Sequence, residues 1–280
     1  MSSKKSTPAS SRDSARALAA TMRAEQAARE KRVKLITISV FGVAVVALVV
    51  AIVWAVVASR PVPLPEPGPL ATPSVVNEAG GIPVGQDGVA GSVTEGAPVV
   101  DVYLDFMCPW CGVFEEKNGQ LLKDWRAAGD ITYVMHPVAI LDDASVGASF
   151  STRAAAAAVW VAETSPESFE AFVAGMFAQQ PEEGTKGLTD DQIADVAKQA
   201  GASDETVEGI ADLTSYTTHA AWVAAQTDTV SKDEKLWTRY QDGRAGFSTP
   251  TIVVGGEKFD GDWQAPGALR AAVDAAAAQG

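Results

Sequence analysis

Leu104-Asp105-Phe106-Met107-Cys108-Pro109-Trp110-Cys111 joins the most strand-like stretch of the chain to a segment of helical spacing, and it holds both cysteines of the 280-residue sequence. The preceding residues, Pro98 to Phe106, are rich in β-branched and aromatic side chains and alternate only in part. That pattern predicts a central strand covered on both faces. Beyond the cysteines, the spacing of Val113, Phe114, Leu121, Leu122 and Trp125 predicts a helix that Gly129 ends. Cys108 falls at its N-cap and Pro109 at the first helical position, where a fixed φ helps and a missing N–H is not needed.

Two cysteines three positions apart at a helix start suit dithiol chemistry. Exchange of a disulfide needs one exposed, easily ionised sulfur and a second close by to resolve the mixed disulfide. The partial positive charge and free N–H groups of the helix N-terminus favour a thiolate at Cys108, the candidate nucleophile. Cys111, one turn in, is the candidate resolving sulfur. The rival readings are weaker. A structural zinc ion needs about four ligands, and two cysteines with the distant His136 and His219 do not suffice. Covalent haem attachment needs Cys-x-x-Cys-His, and position 112 is Gly112. A purely structural disulfide across so short a loop adds little restraint to the unfolded chain. No metal and no cofactor beyond the redox-active disulfide Cys108-Cys111 is expected.

Upstream, Leu35 to Ala58 is a run of 24 residues without a charge. As a helix it is about 36 Å long, enough to cross a ~30 Å hydrocarbon core. It is also longer than the apolar region of a cleaved signal peptide. Residues 1–34 carry nine basic and three acidic residues, and Arg60 alone follows the run. By the positive-inside rule the N-terminus is cytoplasmic and the remainder lies outside, in a single-pass arrangement at the cell membrane. From residue 61 onward, 12 basic residues face 32 acidic ones. A body with that net charge is repelled by nucleic acid and by anionic lipid surfaces. The reading along the chain is a basic disordered tail over 1–34, a transmembrane helix over 35–59 and a Pro-rich spacer over 60–80 with no surface to pack against. A catalytic domain follows over 81–280.

Within that domain, Gly80 to Val84 predicts a short edge strand, Ile131 to Met135 a second strand, and the Ala-rich stretch from Ser145 to Lys235 four or five helices. Thr251 to Val254 predicts a strand, Gly255-Gly256 a turn, the residues around Lys258 and Phe259 a partner strand, and Pro266 to Ala278 a last helix.

Strand, Cys-Pro-Trp-Cys, helix, a long helical stretch and then Thr249-Pro250-Thr251 before a strand resembles the DsbA-like branch of the thioredoxin superfamily. The run Leu104 to Cys111 resembles its membrane-anchored actinobacterial members. The resemblance implies an α/β, thioredoxin-like fold with an inserted helical domain over about 142–245, preceded here by one transmembrane helix. It implies that Pro250 is a cis-proline beside the active-site disulfide and that Thr249 binds extended substrate through its backbone. Trp110, in the active-site turn, is expected to offer unfolded substrate an exposed apolar contact. Two departures matter. Many relatives carry a buried acid six residues before the first cysteine, and Val102 stands there. Asp101 and Asp105 flank it on the opposite strand face, which leaves the proton acceptor for Cys111 open. Trp110 also replaces the histidine of strongly oxidising relatives. His136 and His219 read as structural, and Phe247 and Trp263 as core.

The resulting expectation is an extracytoplasmic thiol-disulfide oxidoreductase that oxidises cysteine pairs of reduced or unfolded secreted proteins and is re-oxidised by a membrane redox partner. A reductase or isomerase using the same pair is the alternative. A redox-inert, chaperone-like binding module is the alternative from another class.

Overall fold

The structure, a computed structural model, describes residues 9–58 and 64–279. Ala9–Ala58 forms one α-helix, α1. The expected disordered tail over 1–34 is therefore corrected from residue 9 onward: this stretch is rich in Ala and Arg, with Lys, Glu and Gln, and has no glycine or proline, and such residues favour helix. Residues 1–8, 59–63 and 280, which hold the start of the expected tail, the last residue of the expected transmembrane helix, the start of the spacer and the last residue of the domain, lie outside the described residues. Within α1 the candidate span Arg29–Val53 contains an 18-residue window with a mean hydropathy of 2.9, long and apolar enough to cross a membrane.

The second unit begins at Pro61. Its centre is a five-stranded sheet in the order β1-β3-β2-β6-β7, formed by Ile82–Val84 (β1), Val99–Leu104 (β2), Thr132–Pro137 (β3), Thr251–Val254 (β6) and Glu257–Lys258 (β7). Only β2 and β3 are parallel, with Val100 opposite Tyr133 and Val102 opposite Met135. β1 is an antiparallel edge strand on β3, a place where Pro83 loses no ladder hydrogen bond. β6 pairs antiparallel with β2, and β7 with β6.

Pro109–Phe114 (α2), a π-helical turn at Glu115–Gly119 and Gln120–Ala128 (α3) cover one sheet face, and Gly129 closes α3 in the left-handed conformation. The helix expected to be continuous is thus widened at its middle. Between β3 and β6 lie Phe150–Thr164 (α4), Phe169–Ala178 (α5), Asp190–Gln199 (α6), Asp204–Ala211 (α7) and Thr214–Lys232 (α8). The run Ala154 to Ala158 is buried throughout, and such small side chains let neighbouring helices approach closely. The expected helical insertion does not run to residue 245. Thr238–Arg239 (β4) and Ala245–Gly246 (β5) form a two-stranded ribbon across the Asp242-Gly243 turn, with Gly243 at φ 83. Asp-Gly is a strong hairpin signal. Ala268–Ala277 (α9) closes the unit. The core joins both layers through the fully buried Phe106, Phe114, Phe150, Phe169 and Phe172.

The expected free spacer is also corrected. Gly68 N–H donates to Thr217 O at 2.7 Å, Ser74 N–H and Oγ donate to the Glu163 carboxylate at 2.5 and 2.8 Å, and Pro73 is buried. A carboxylate at the end of α4 satisfies backbone that the prolines leave without regular structure. His219 lies 3.2 Å from the same Glu163 side chain, so it belongs to this junction.

Val146 sits at φ 52 on the loop before α4 and is 53% exposed. A β-branched residue is strained in this region. Val146→Gly is expected to raise stability by about 1 kcal/mol, read as a higher urea midpoint at unchanged slope. A lower midpoint would show that the valine is held there by contacts worth more than its strain.

Candidate active site

The site is assembled at the end of β2. That strand stops at Leu104, and Asp105 is fully buried beyond it. Its carboxylate accepts from Met107 N–H at 2.8 Å, from Leu141 N–H at 2.9 Å and from Ser151 Oγ at 2.7 Å. Strand alternation, which sets Asp105 on the face opposite Val102, does not decide its burial, because Asp105 lies past the strand's end. Its three hydrogen bonds lower its pKa, but burial outweighs them and carries it to about 6. Asp105 O also accepts from Cys108 N–H at 3.0 Å, so this one residue sets the turn that delivers Cys108 to the start of α2.

Cys108 is the N-cap of α2, at φ −73 and ψ 116, with Pro109 inside the first turn. Both cysteines are free thiols. The Cys108 pKa is brought down to about 6, first by a hydrogen bond from the Cys111 thiol, then by the Thr249 side chain and the N–H groups of Cys111 and Trp110, against the opposing effect of burial. Cys111 is fully buried. Desolvation first, and then the neighbouring Cys108 sulfur, push it well above its ordinary value. Two chemically identical side chains thus differ sharply in acidity because one lies at a helix N-terminus and the other in the core.

The Thr249–Pro250 peptide bond is cis, and Cys108 Sγ donates to Thr249 O at 3.3 Å. The Thr249 hydroxyl is buried without a hydrogen-bond partner among the described residues. Residues 141 positions apart are brought together here because β6, which Pro250 precedes, is the antiparallel neighbour of β2. Trp110 is 57% exposed beside the sulfurs. Pro109, Trp110, Thr249 and Pro250 therefore surround the Cys108–Cys111 pair.

His136 is not part of this constellation. It lies on the other sheet face, stacked on Tyr103 at 4.0 Å between ring centroids and 2.8 Å from the Asp101 carboxylate. Phe247 meets Tyr103 edge-on and Trp263 meets Phe114 likewise.

Three residues that sequence reasoning did not single out also shape the site. Glu115, one helical turn beyond Cys111 and so on the same face, lines a small cavity with Tyr133, Lys123 and Glu170. Burial raises its pKa, Lys123 opposes the rise and Glu170 adds to it. Tyr133 is raised by burial and by the charges of Glu115, Glu170 and Cys111. Gln180, just after α5, donates through Nε2 to Phe106 O at 3.1 Å and to Cys108 O at 2.8 Å. For Asp105 a local signal existed, since an Asp whose side chain caps the amide two residues on marks a turn. Glu115 and Gln180 carry no such mark.

The profile of the family described as thioredoxin matches residues 93–275. Among solved structures, DsbA from Mycobacterium tuberculosis is 28% identical at a TM-score of 0.54, covering 71% of this chain and 98% of that one. The disulfide bond oxidoreductase DsbG from the same organism is also 28% identical at 0.54, covering 71% and 92%. MdbA, a thiol-disulfide oxidoreductase from Corynebacterium matruchotii, shares the fold at 24% identity and a TM-score of 0.53, covering 68% and 87%. Among curated proteins, the serine/threonine-protein kinase PknE of M. tuberculosis is 29% identical over 141 residues. That match spans 48% of this chain and only 25% of the kinase.

Proposed function

Because the chain belongs to the thioredoxin family, we propose that it is a DsbA-type thiol-disulfide oxidoreductase, anchored by α1, that oxidises cysteine pairs of secreted proteins outside the cytoplasm. The observation that carries the reading is the placement of the pair, Cys108 at the N-cap of α2 beside Thr249 O and Cys111 fully buried one turn in, which brings the Cys108 pKa down to about 6 and pushes that of Cys111 up. A thiolate stabilised in the dithiol form makes that form the favoured product, which is what an oxidant requires.

In the proposed cycle a substrate thiolate attacks Cys108 Sγ of the disulfide. The Cys108–Cys111 bond breaks, a substrate–Cys108 bond forms, and the electron pair passes to Cys111 Sγ, which takes a proton. The substrate's second thiolate then attacks its own sulfur in the mixed disulfide. Cys108 departs as the stabilised thiolate, leaving the substrate oxidised by two electrons and the enzyme reduced. We assign the exchange of the Cys111 proton to Glu115, one helical turn beyond Cys111 and raised in pKa by burial, since Val102 cannot carry it. Trp110 offers the apolar contact for an unfolded segment, and the cis Thr249–Pro250 bond presents the Thr249 backbone to it. A membrane redox partner returns the dithiol to the disulfide.

Cys111→Ser removes the resolving sulfur and is expected to accumulate mixed disulfides on Cys108 in intact cells. The trapped proteins should be secreted chains with several cysteines, and the adducts should be cleaved by a membrane-impermeant reductant. Adducts with cytoplasmic proteins, or none at all, would overturn the proposal. A wild-type pair resting as the dithiol in cells would instead identify a reductase or isomerase.

A further inference from the structure

The active-site turn is gripped from the helical insertion as well as from the sheet. Gln180 lies two residues past the end of α5, and Pro181 after it restricts its backbone to extended conformations. Its Nε2 reaches the carbonyls of Phe106 and Cys108 at 3.1 and 2.8 Å. The Cys108 carbonyl also receives Cys111 N–H at 2.9 Å and Gly112 N–H at 3.3 Å. It is therefore the point on which the first turn of α2 is oriented. The other end of the Gln180 amide lies over Gly112: a Cβ at that position would stand 2.2 Å from Gln180 Oε1. Any side chain at 112 would require the Gln180 amide to shift. The aromatic rings of Phe106 and Phe177 pack at 5.1 Å between centroids, which fixes the end of α5 against the same turn.

We propose that Gln180 is a positioning residue for the Cys108 thiolate, acting through the Phe106 and Cys108 carbonyls, and that Gly112 is there to leave its amide room. This rests on the oxidoreductase reading of the Cys108–Cys111 pair. The N–H groups of Trp110 and Cys111 favour the thiolate only while the first turn of α2 points them at Cys108 Sγ. The Gln180 amide holds that turn and also brings the positive end of its dipole to the thiolate's own residue. Without it, two part-buried carbonyls lose a donor and the turn relaxes toward solvent.

The test uses the full-length chain in detergent, as wild type, Gln180→Ala, Gln180→Met, Gly112→Ala and the Gly112→Ala/Gln180→Ala double variant. The pH titration of thiolate absorbance in the reduced protein and the redox equilibrium with glutathione are both read. Gln180→Ala and Gln180→Met, which keeps the length but cannot donate, are each expected to lower the Cys108 acidity constant about three- to tenfold, the worth of one hydrogen bond. The equilibrium should move toward the disulfide form by a similar factor. Gly112→Ala should shift both readings the same way, and the double variant should be no worse than the larger single change. Wild-type titration in both Gln180 variants, or fully additive effects in the double variant, would overturn the proposal. A wild-type protein inert toward glutathione would strike at the oxidoreductase reading alone, because the thiolate titration still decides the role of Gln180.

Discussion

Cys108→Ser is expected to reduce the oxidation of a denatured, reduced multi-cysteine protein to the uncatalysed rate, a loss of at least about three orders of magnitude for removal of a nucleophile. The serine hydroxyl is nearly isosteric, so Asp105 can still set the turn and Thr249–Pro250 can still lie against α2. What disappears is the sulfur that forms the mixed disulfide and leaves as a thiolate. Regain of activity by reduced ribonuclease, with glutathione as the re-oxidant, measures the effect. The thermal midpoint of the reduced variant serves as the control for folding. A variant that keeps more than about a tenth of the wild-type rate, well outside the expected loss, would show that Cys108 is not the attacked sulfur.

The stability of the dithiol form is expected to depend on pH in a way the disulfide form does not share. The Cys108 pKa falls from an ordinary 9.0 to about 6 on folding. A depressed pKa adds stability that is complete above the unfolded value and vanishes as pH falls through the folded one. The contribution is therefore about 4 kcal/mol above pH 9, about 1.4 kcal/mol at pH 7 and close to zero below pH 5, each to order of magnitude. Asp105 acts with the opposite sign. Its pKa rises from 3.8 to about 6, so its burial costs nothing in acid and up to about 3 kcal/mol once the pH exceeds 6. That cost is common to both redox forms and cancels in their difference. Urea unfolding of the dithiol and disulfide forms at pH 5, 7 and 9 isolates the cysteine pair, in which Cys111, with its raised pKa, opposes Cys108 only as the pH reaches its ordinary 9.0. A difference between the forms that stays flat over this range would contradict a thiolate stabilised at the helix start.

The residues around the cysteines show what could be read in the chain before folding and what could not. The strand before Cys108, Pro109 at the first helical position and the edge strand at Pro83 are local matters, set by side-chain period and by the fixed φ and missing N–H of proline. The apolar run after Lys34 is legible for the same reason, since length and absence of charge suffice to make a bilayer-spanning helix. Where a local rule was carried too far, it misled. Alternation extended one residue past the end of β2 sets Asp105 only on the face opposite Val102, with no hint of the turn its carboxylate caps, and the basic composition of 1–34 hides residues whose helix propensity is high.

Whether a thiol at the helix start would ionise was legible from helix electrostatics alone; how far it would be favoured was not. That depends on Cys111 being buried behind it, on Thr249 arriving from 141 positions away, and on Gln180 reaching the Cys108 carbonyl from 72 positions away. No periodicity marks such residues, because the hydrogen bonds they make exist only once the antiparallel pairing of β2 with β6 and the packing of α5 against α2 have closed the chain on itself. The cysteine pair and its place at the mouth of a helix are properties of the sequence; the acidity difference that makes the pair useful belongs to the tertiary structure, since burial and long-range hydrogen bonds are created only by folding.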